Sequence, residues 1–493
     1  MRSSRPGERN PTKTTGTPAD ASAERRPSRA FVVPAGEDAV VSRDRLGLEP
    51  VVYATFDGGV AVGKTYGDLF GPGRIPKRWR KDAMIDFLAA GIAVFPDGAT
   101  FFEGVYEVPP GHDLRITSGR WSVAARDLLP DATEELGEEA LPRLRERIAD
   151  AVEGLGEDAA LCLSGGVDSS SIAAAWSRTG IPQCFVYGAP GSEDRELALE
   201  TAESLGVRPV LPEFAETTDL DELRRMLRVL GIPAHIPGAP LPQFRLMETM
   251  ARAGVRTVVS GQGGDELFCG YPWHFPPAME KLRARDPETA ARLEALHEAR
   301  PPFPVLDLRI VRRCFTRTAS WVAFSDGGAC DVLGLSREDV VGRRGVRFFA
   351  ADLGDWDALR RQGLTVRSLR YLLHYDRRFA DHFGLRGSAP LLDAGVVDLV
   401  SRFRLDFLYG GGMLKYPLRL LFPEVPERVR FQTRKTGFWH SGPSLPDLRP
   451  EVRRLIGATP LGEFVVRPEA VDRMNAGALW RFFAAGTLLE ADC

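Results

Sequence analysis

The sequence predicts an α/β protein: a parallel sheet with helices on both faces, preceded by a hairpin-rich β region and followed by a mostly helical half. Three observations carry this. Short apolar strands alternate with longer amphipathic segments in AALCLS, SSSIAAAWSRTG, CFVYG, DRELALETAESLG, RPVLPEF and LDELRRMLRVLG, the βαβα signature of a parallel sheet. Upstream, the β-prone runs AFVVP, AVVS, EPVVYATF and VAVGKTY are broken by turn signals such as FDGG. Beyond about residue 275 the strand signal fades, and segments such as RSLRYLLHYDRRFADHFG and AGVVDLVSRFR read as helices.

Composition sets the outer limits. With 493 residues, 44% hydrophobic and 27% charged, the chain has room for two or three globular domains. A net charge of −3 gives no reason to expect nucleic acid or a membrane as partner. The six cysteines lie far apart without a C-x-x-C pair, which predicts reduced thiols in a cytoplasmic protein. No apolar run approaches the roughly eighteen residues of a membrane span, and residues 1–30 lack the apolar centre of a secretory signal.

Taken in order, residues 1–30 are rich in Ser, Thr, Pro and Arg with almost no aliphatic side chains, so a disordered tail is expected. Next comes GGVAVGKT, Gly58 to Thr65, which matches the phosphate-loop pattern G-x-x-x-x-G-K-[ST] letter for letter. A working phosphate loop opens a helix, whereas the preceding DGG turn places Gly63, Lys64 and Thr65 late in the second strand of a hairpin. The following YGDLFGPGRIPKRW is interrupted by Gly and Pro and is a poor helix. The match is therefore expected to be accidental. Leu141, Leu144, Ile148 and Val152 then step by three and four along one apolar helical face.

A second glycine loop has the context the first lacks. LCLSGGVDSSS, Leu161 to Ser171, follows a buried strand and opens a helix. Gly165 and Gly166 permit a tight turn and close backbone approach, and Ser164, Ser169 and Ser170 add hydroxyls at the positive end of the helix, a cradle suited to pyrophosphate. Asp168 among those donors would repel phosphate unless a divalent cation lay between, which points to Mg²⁺. The plain alternative is a Gly-Ser turn with Asp168 as a helix N-terminal acid.

SGGVDSSS resembles the ATP-pyrophosphatase loop of the asparagine synthetase family, whose members form an acyl-adenylate and release pyrophosphate. VVSGQGGDELFCGY, Val258 to Tyr271, is similar to the family segment with G-E-G-x-D-E-L-F-x-G-Y. The resemblance implies ATP and Mg²⁺ as cofactors, an adenine-nucleotide α-hydrolase-like synthetase fold over residues 136–493, and Asp168 and Asp265 as the two metal-binding carboxylates. It further implies a nucleotide lying against Leu163, Ser164, Gly165, Gly166, Asp168, Ser169, Ser170, Ser260, Gly261 and Gln262. Two acids about a hundred residues apart, each after a parallel strand, can share one cation at the carboxyl edge of the sheet. APLLDAGVVDLV resembles the family's PFLD segment and KYPLRLLFPEVPERVRFQTRKTGF its closing block. Lys435 in TRKTGF matches the lysine that reaches the reacting centre, where an ammonium can stabilise charge in the transition state, with Arg434 and Lys415 as secondary candidates.

SRDRLGLEPVVYA and FFEGVYEVPPGH look like the latter part of the family's N-terminal-nucleophile glutaminase domain, so residues 31–128 are expected to be a degenerate β-rich relic of it. The family's glutaminase uses an N-terminal Cys; here the first residues are Met1, Arg2 and Ser3 and no Cys precedes Cys162, so no glutamine hydrolysis is expected. Gln262 stands where the ammonia-using synthetases have Glu and the β-lactam synthetase-like branch has Tyr, and an amide cannot take a proton, so the base must lie elsewhere. Arg386 and Ser388 in LRGSAP replace the acid and base of the family's L-E-x-R-x-P, which departs from an aspartate pocket. His274, His374, His382 and His440 fall near the matched segments and one could serve as base, but none has metal-ligand spacing and a packing or surface histidine is the plainer reading of each; Tyr371, Tyr375 and Asp376 lie at one-turn spacings that core packing plus a cap-like acid explains about as well as catalysis does. The expected function is an ATP-dependent amide-forming ligase acting on a peptide or small-molecule carboxylate and amine, of the lasso-peptide macrolactam cyclase type and working beside other biosynthetic proteins. An amidotransferase using free or partner-supplied ammonia and an inactive scaffold are the alternatives.

Overall fold

The structure, a computed structural model, describes residues 31–491 apart from 72–74, 182, 187, 214, 216, 236–239, 300–321, 323–324, 351–354 and 433–444. The expected N-terminal tail lies outside the described residues, as do Arg434, Lys435 and His440.

The β-prone runs of the first hundred residues fold as two antiparallel sheets. Strands β1 (Phe31–Pro34), β2 (Ala39–Ser42), β3 (Val52–Phe56), β4 (Gly59–Gly63), β5 (Val105–Glu107), β6 (His112–Thr117) and β7 (Arg120–Ala125) sort into β1-β4-β3-β5 and β2-β6-β7. Period-two alternation divides their side chains between two cores. Val33, Val41, Tyr53, Val60, Val62, Leu114 and Ile116 fill the space between the sheets. Val52, Ala54 and Ala61, from the opposite face, join a larger core that includes Phe87 of the helix Lys81–Ala90 and Tyr371 and Phe483 from the C-terminal half.

Phe56 pairs with Gly59, leaving Asp57 and Gly58 as the hairpin turn, so Gly63 ends β4 as the sequence predicts. The backbone N–H groups of Lys64 and Thr65 both donate to Asp68 Oδ2, at 2.9 and 2.8 Å. Those are the amides a phosphate loop would offer, and a carboxylate of the same chain already takes them. Only a one-turn 3₁₀ helix, Tyr66–Leu69, follows.

The parallel sheet consists of β8 (Ala159–Cys162), β9 (Gln183–Phe185), β10 (Thr257–Val259) and β11 (Arg386–Ser388), in the order β11-β10-β8-β9 with every neighbouring pair parallel. Both faces are covered. Ala160 and Val258 face a core shared with Leu223, Phe244 and Phe379, while Ala159, Leu161 and Val259 face one shared with Leu144, Ile148 and Ile172. The chain leaves β8 through the helix Val167–Trp176 to reach β9 on one side, then returns to place β10 on the other side of β8. The loops after β8 and β10 thus lie side by side at a topological switch point, the crevice in which open α/β sheets hold ligands.

Two strands differ from expectation. Among the described residues RPVLPEF contributes a single bridge, Val210 beside Phe185, because prolines flank its short apolar core. Arg386–Ser388 carries no β-branched residue yet pairs with β10 across Thr257, Val258 and Val259, the neighbouring strand supplying what local propensity does not. The face Leu144, Ile148 and Val152 is buried in the helix Leu141–Glu153 as its spacing requires. The helix Ala476–Glu490 is apolar nearly all round and passes through the core, with Trp480 Nε1 donating to the Ala234 carbonyl at 2.7 Å. Among the described residues no helix is long and apolar enough to cross a membrane, and Cys162, Cys184, Cys269 and Cys330 are free thiols.

Candidate active site

The loop after β8 is braced from within. The Leu163 N–H donates to the Phe185 carbonyl at 2.9 Å, extending the sheet by one residue. Ser164 N–H donates to Ser169 Oγ at 3.0 Å, the two hydroxyls lie 3.0 Å apart, and the Gly166 N–H reaches Ser164 Oγ at 3.3 Å. Ser170 is fully buried with its hydroxyl 3.4 Å from Thr201 Oγ1, so its place is beneath the loop. A Cβ on Gly165 would stand 2.7 Å from the Asp194 carbonyl oxygen, which explains glycine there, and Gln432 Nε2 donates to the Gly165 carbonyl.

The loop after β10 is held on the other side. Ser260 N–H donates to the Ser388 carbonyl of β11 at 3.0 Å. From there the glycines of GQGGDELFCG allow the two loops to interlock. A Cβ on Gly261 would lie 3.0 Å from Asp168 Cβ, one on Gly264 2.5 Å from Asp168 Cγ, and one on Gly270 2.1 Å from Asp265 Oδ1. Gly263 has φ +85° and no room, since its Cβ would fall 2.1 Å from Leu392. Gly263→Ala therefore combines left-handed strain with overpacking, and is expected to cost about 2–4 kcal/mol, read as a lowered midpoint in chemical denaturation.

This interlocking brings Asp168 and Asp265 to one point. Lys415 Nζ lies 2.5 Å from Asp168 Oδ2 and 2.6 Å from Asp265 Oδ1. The lysine is buried and has left-handed backbone, φ +56°, just before the helix Tyr416–Leu421. Burial alone would push its ammonium down, but the Asp168 and Asp265 carboxylates outweigh burial and hold it above the ordinary lysine value. The resemblance puts Lys415 behind Lys435; the structure puts Lys415 between the acids, while Lys435 falls outside the described residues.

Two converging carboxylates suit magnesium, which is usually held by one or two protein carboxylates with substrate phosphates and waters completing six oxygens. Among the described residues no group of three or more His, Cys, Asp or Glu could hold a metal without such help. Glu266 does not join the pair: it is buried and accepts the Tyr271 hydroxyl at 2.6 Å.

Three residues before Asp265, Gln262 faces the carboxyl of Asp376, for which the sequence leaves packing and catalysis equally open. Burial drives Asp376 up to about 7, against the hydrogen bond from Gln262, which acts downward. Asp376 Oδ1 is buried with no hydrogen-bond partner among the described residues. Asp376 lies on the helix Ser368–Phe383, which presents Tyr375 to His235 Nδ1 at 3.1 Å and the Tyr371 hydroxyl to the Ala93 N–H at 2.9 Å. The Cys162 thiol, at the end of β8, is pushed up by burial and by the nearby Asp376. The sequence signal that singles out Asp376 is an acid beside the buried positions Tyr371, Tyr375 and Phe379 of one helix.

Three of the four histidines near the matched segments are described, and they pack against neighbours. His274 is buried edge-on against Tyr271 and Trp273, His382 lies against Phe244, and His374 Nε2 is 3.1 Å from the Leu230 carbonyl. Arg386 is exposed and reaches Asp158 at 3.6 Å.

Comparison with known proteins places the chain. The family model described as asparagine synthase matches residues 143–482, more than half of the chain. Amidase chry2 of Gibberella zeae is 26% identical over 298 residues, 49% of this chain and 40% of that protein. Asparagine synthetase [glutamine-hydrolyzing] 1 of Lotus japonicus is 32% identical over 151 residues, 28% of this chain and 25% of the relative. Asparagine synthetase B [glutamine-hydrolyzing] of Escherichia coli K12 is 31% identical over 152 residues, 27% of each protein. The matches span from a quarter to two-fifths of the length of these curated relatives.

Proposed function

The chain belongs to the asparagine synthase family, and from that premise we propose that it is an ATP-dependent amide-forming ligase. A carboxylate oxygen of the substrate attacks the α-phosphorus of ATP, the bond to the β-phosphate bridge breaks, and pyrophosphate departs. The nitrogen of an amine then attacks the acyl carbon, passes a proton to a base, and releases AMP. The observation that carries this reading is the meeting of Asp168 and Asp265 at the switch point of a parallel sheet, on two interlocked glycine loops. Those two carboxylates would hold Mg²⁺, which when bound supplies charge neutralisation for the departing pyrophosphate. Gly165, Gly166 and the Ser164 and Ser169 hydroxyls would line the phosphates, and Lys435 would steady charge on the reacting phosphorus and carbonyl oxygens.

Asp376 is the base in this reading. Gln262 beside it cannot accept a proton, whereas a carboxyl with an unpartnered buried oxygen and an ionisation near neutrality can. An organic amine carried by the substrate fits a neutral Gln262 and an Arg386-to-Ser388 strand that departs from an aspartate pocket. The substrate class proposed is thus a peptide or natural-product precursor closed on itself, of the lasso macrolactam type. A second reading, transfer of ammonia to a small acid, is favoured by the relatives named glutamine-hydrolysing asparagine synthetases.

ATP labelled separately at the α- and γ-phosphates tests the reaction class. AMP and pyrophosphate are expected in the presence of the right acid, and ADP with phosphate would sink the reading. Mass spectrometry of cells lacking the protein should show loss of a product lighter than its precursor by one water, while amide formation with ammonium alone would establish the second reading.

A further inference from the structure

The ammonium of Lys415 stands where a metal would stand. It contacts one oxygen of each carboxylate, at 2.5 and 2.6 Å, and the site is shaped to admit it. Gly270 is the opening: a Cβ there would lie 2.0 Å from Lys415 Cε, so any larger residue would close the route by which the lysine enters. The backbone of Lys415 is left-handed, a conformation unfavourable for any residue bearing a Cβ, and is held by the surrounding contacts. The one ammonium offsets part of the charge of the two carboxylates before any ligand arrives.

We propose that Lys415 is a resident place-holder between Asp168 and Asp265, keeping divalent cations off the pair until a polyphosphate draws its ammonium away. This rests on the reading of those two acids as the cation-holding pair. A divalent ion arriving alone would have to displace a buried, doubly paired ammonium and would gain only two carboxylates from the described residues, far short of six oxygens. A nucleotide changes both sides of that exchange, because its phosphates add oxygens for the ion and give the displaced ammonium a new anion to pair with. Cation and nucleotide binding are then coupled, each favouring the other by the same factor.

The test is Mn²⁺ binding, followed by electron paramagnetic resonance, with the full chain alone and with an ATP analogue carrying a methylene bridge between the α- and β-phosphates. The unaltered protein should leave Mn²⁺ free without the analogue and bind it with the analogue. Lys415→Met should take up Mn²⁺ without any nucleotide, about tenfold tighter or more than the unaltered protein. Lys415→Gln, which keeps a hydrogen-bond donor but no charge, should do the same and decides the matter should the Met variant not fold. The place-holder is overturned, with the cation pair left standing, if the unaltered protein binds Mn²⁺ equally well with and without the analogue. It is likewise overturned if the folded variants bind Mn²⁺ alone no better than the unaltered protein while all bind it with the analogue. Absence of Mn²⁺ uptake in every protein, analogue present, would remove the cation pair and the place-holder together.

Discussion

Asp168→Asn and Asp265→Asn are each expected to lower carboxylate-dependent pyrophosphate exchange by about 10²–10³-fold or more, the scale seen when one preorganised charge contact to the reacting groups is removed. Both changes keep the shape of the side chain, and either leaves Lys415 one carboxylate partner, so the fold should persist. In the proposed function both acids grip one ion, so their effects should not multiply. The double variant should be no more than slightly worse than the poorer single one. Full exchange activity in either single variant would remove the acid pair from the chemistry, and independent, multiplying losses would show that the two carboxylates serve separate steps.

Asp376→Asn should separate the two halves of the reaction. Pyrophosphate exchange, which needs no base for the amine, should survive, while amide formation should fall by about 10²–10⁴-fold, the usual contribution of a positioned proton acceptor. The proposed base acts when ionised, so in the unaltered protein the rate of amide formation should climb as the pH rises through about 7 and level off above it. Stability carries the opposite sign. Folding raises this carboxyl above its ordinary value near 3.8, so the fold is favoured while the group is protonated and loses that advantage as the pH rises from about 4 towards 7. Asp376→Asn should therefore unfold at a higher temperature than the unaltered protein at pH 8, with the difference shrinking at pH 4. A variant equally slow in both half-reactions would point to a structural part for Asp376.

The strands β8 and β10 and their glycine loops could be read directly from the sequence because each signal is local: an apolar run, then glycines, then a helical period. The residues that meet between the loops could not be weighed that way. Lys415 is 247 positions from Asp168, and its place depends on one left-handed backbone step before a helix, which no composition rule anticipates. Asp376 follows Tyr375 on a helix whose spacing reads as core, and only the approach of Gln262 from another loop distinguishes its carboxyl from a cap. Arg386–Ser388 is a strand because β10 lies beside it, and its three residues carry no preference of their own for that state.

GGVAVGKT shows the reverse error. Its letters describe a chemical offer, a row of amide protons turned towards an incoming anion, and in this molecule the offer was accepted long before any substrate arrives: the carboxylate of Asp68 is seated on Lys64 and Thr65. A scan that stops at spelling would send the nucleotide to a doorway that the protein has bolted from the inside.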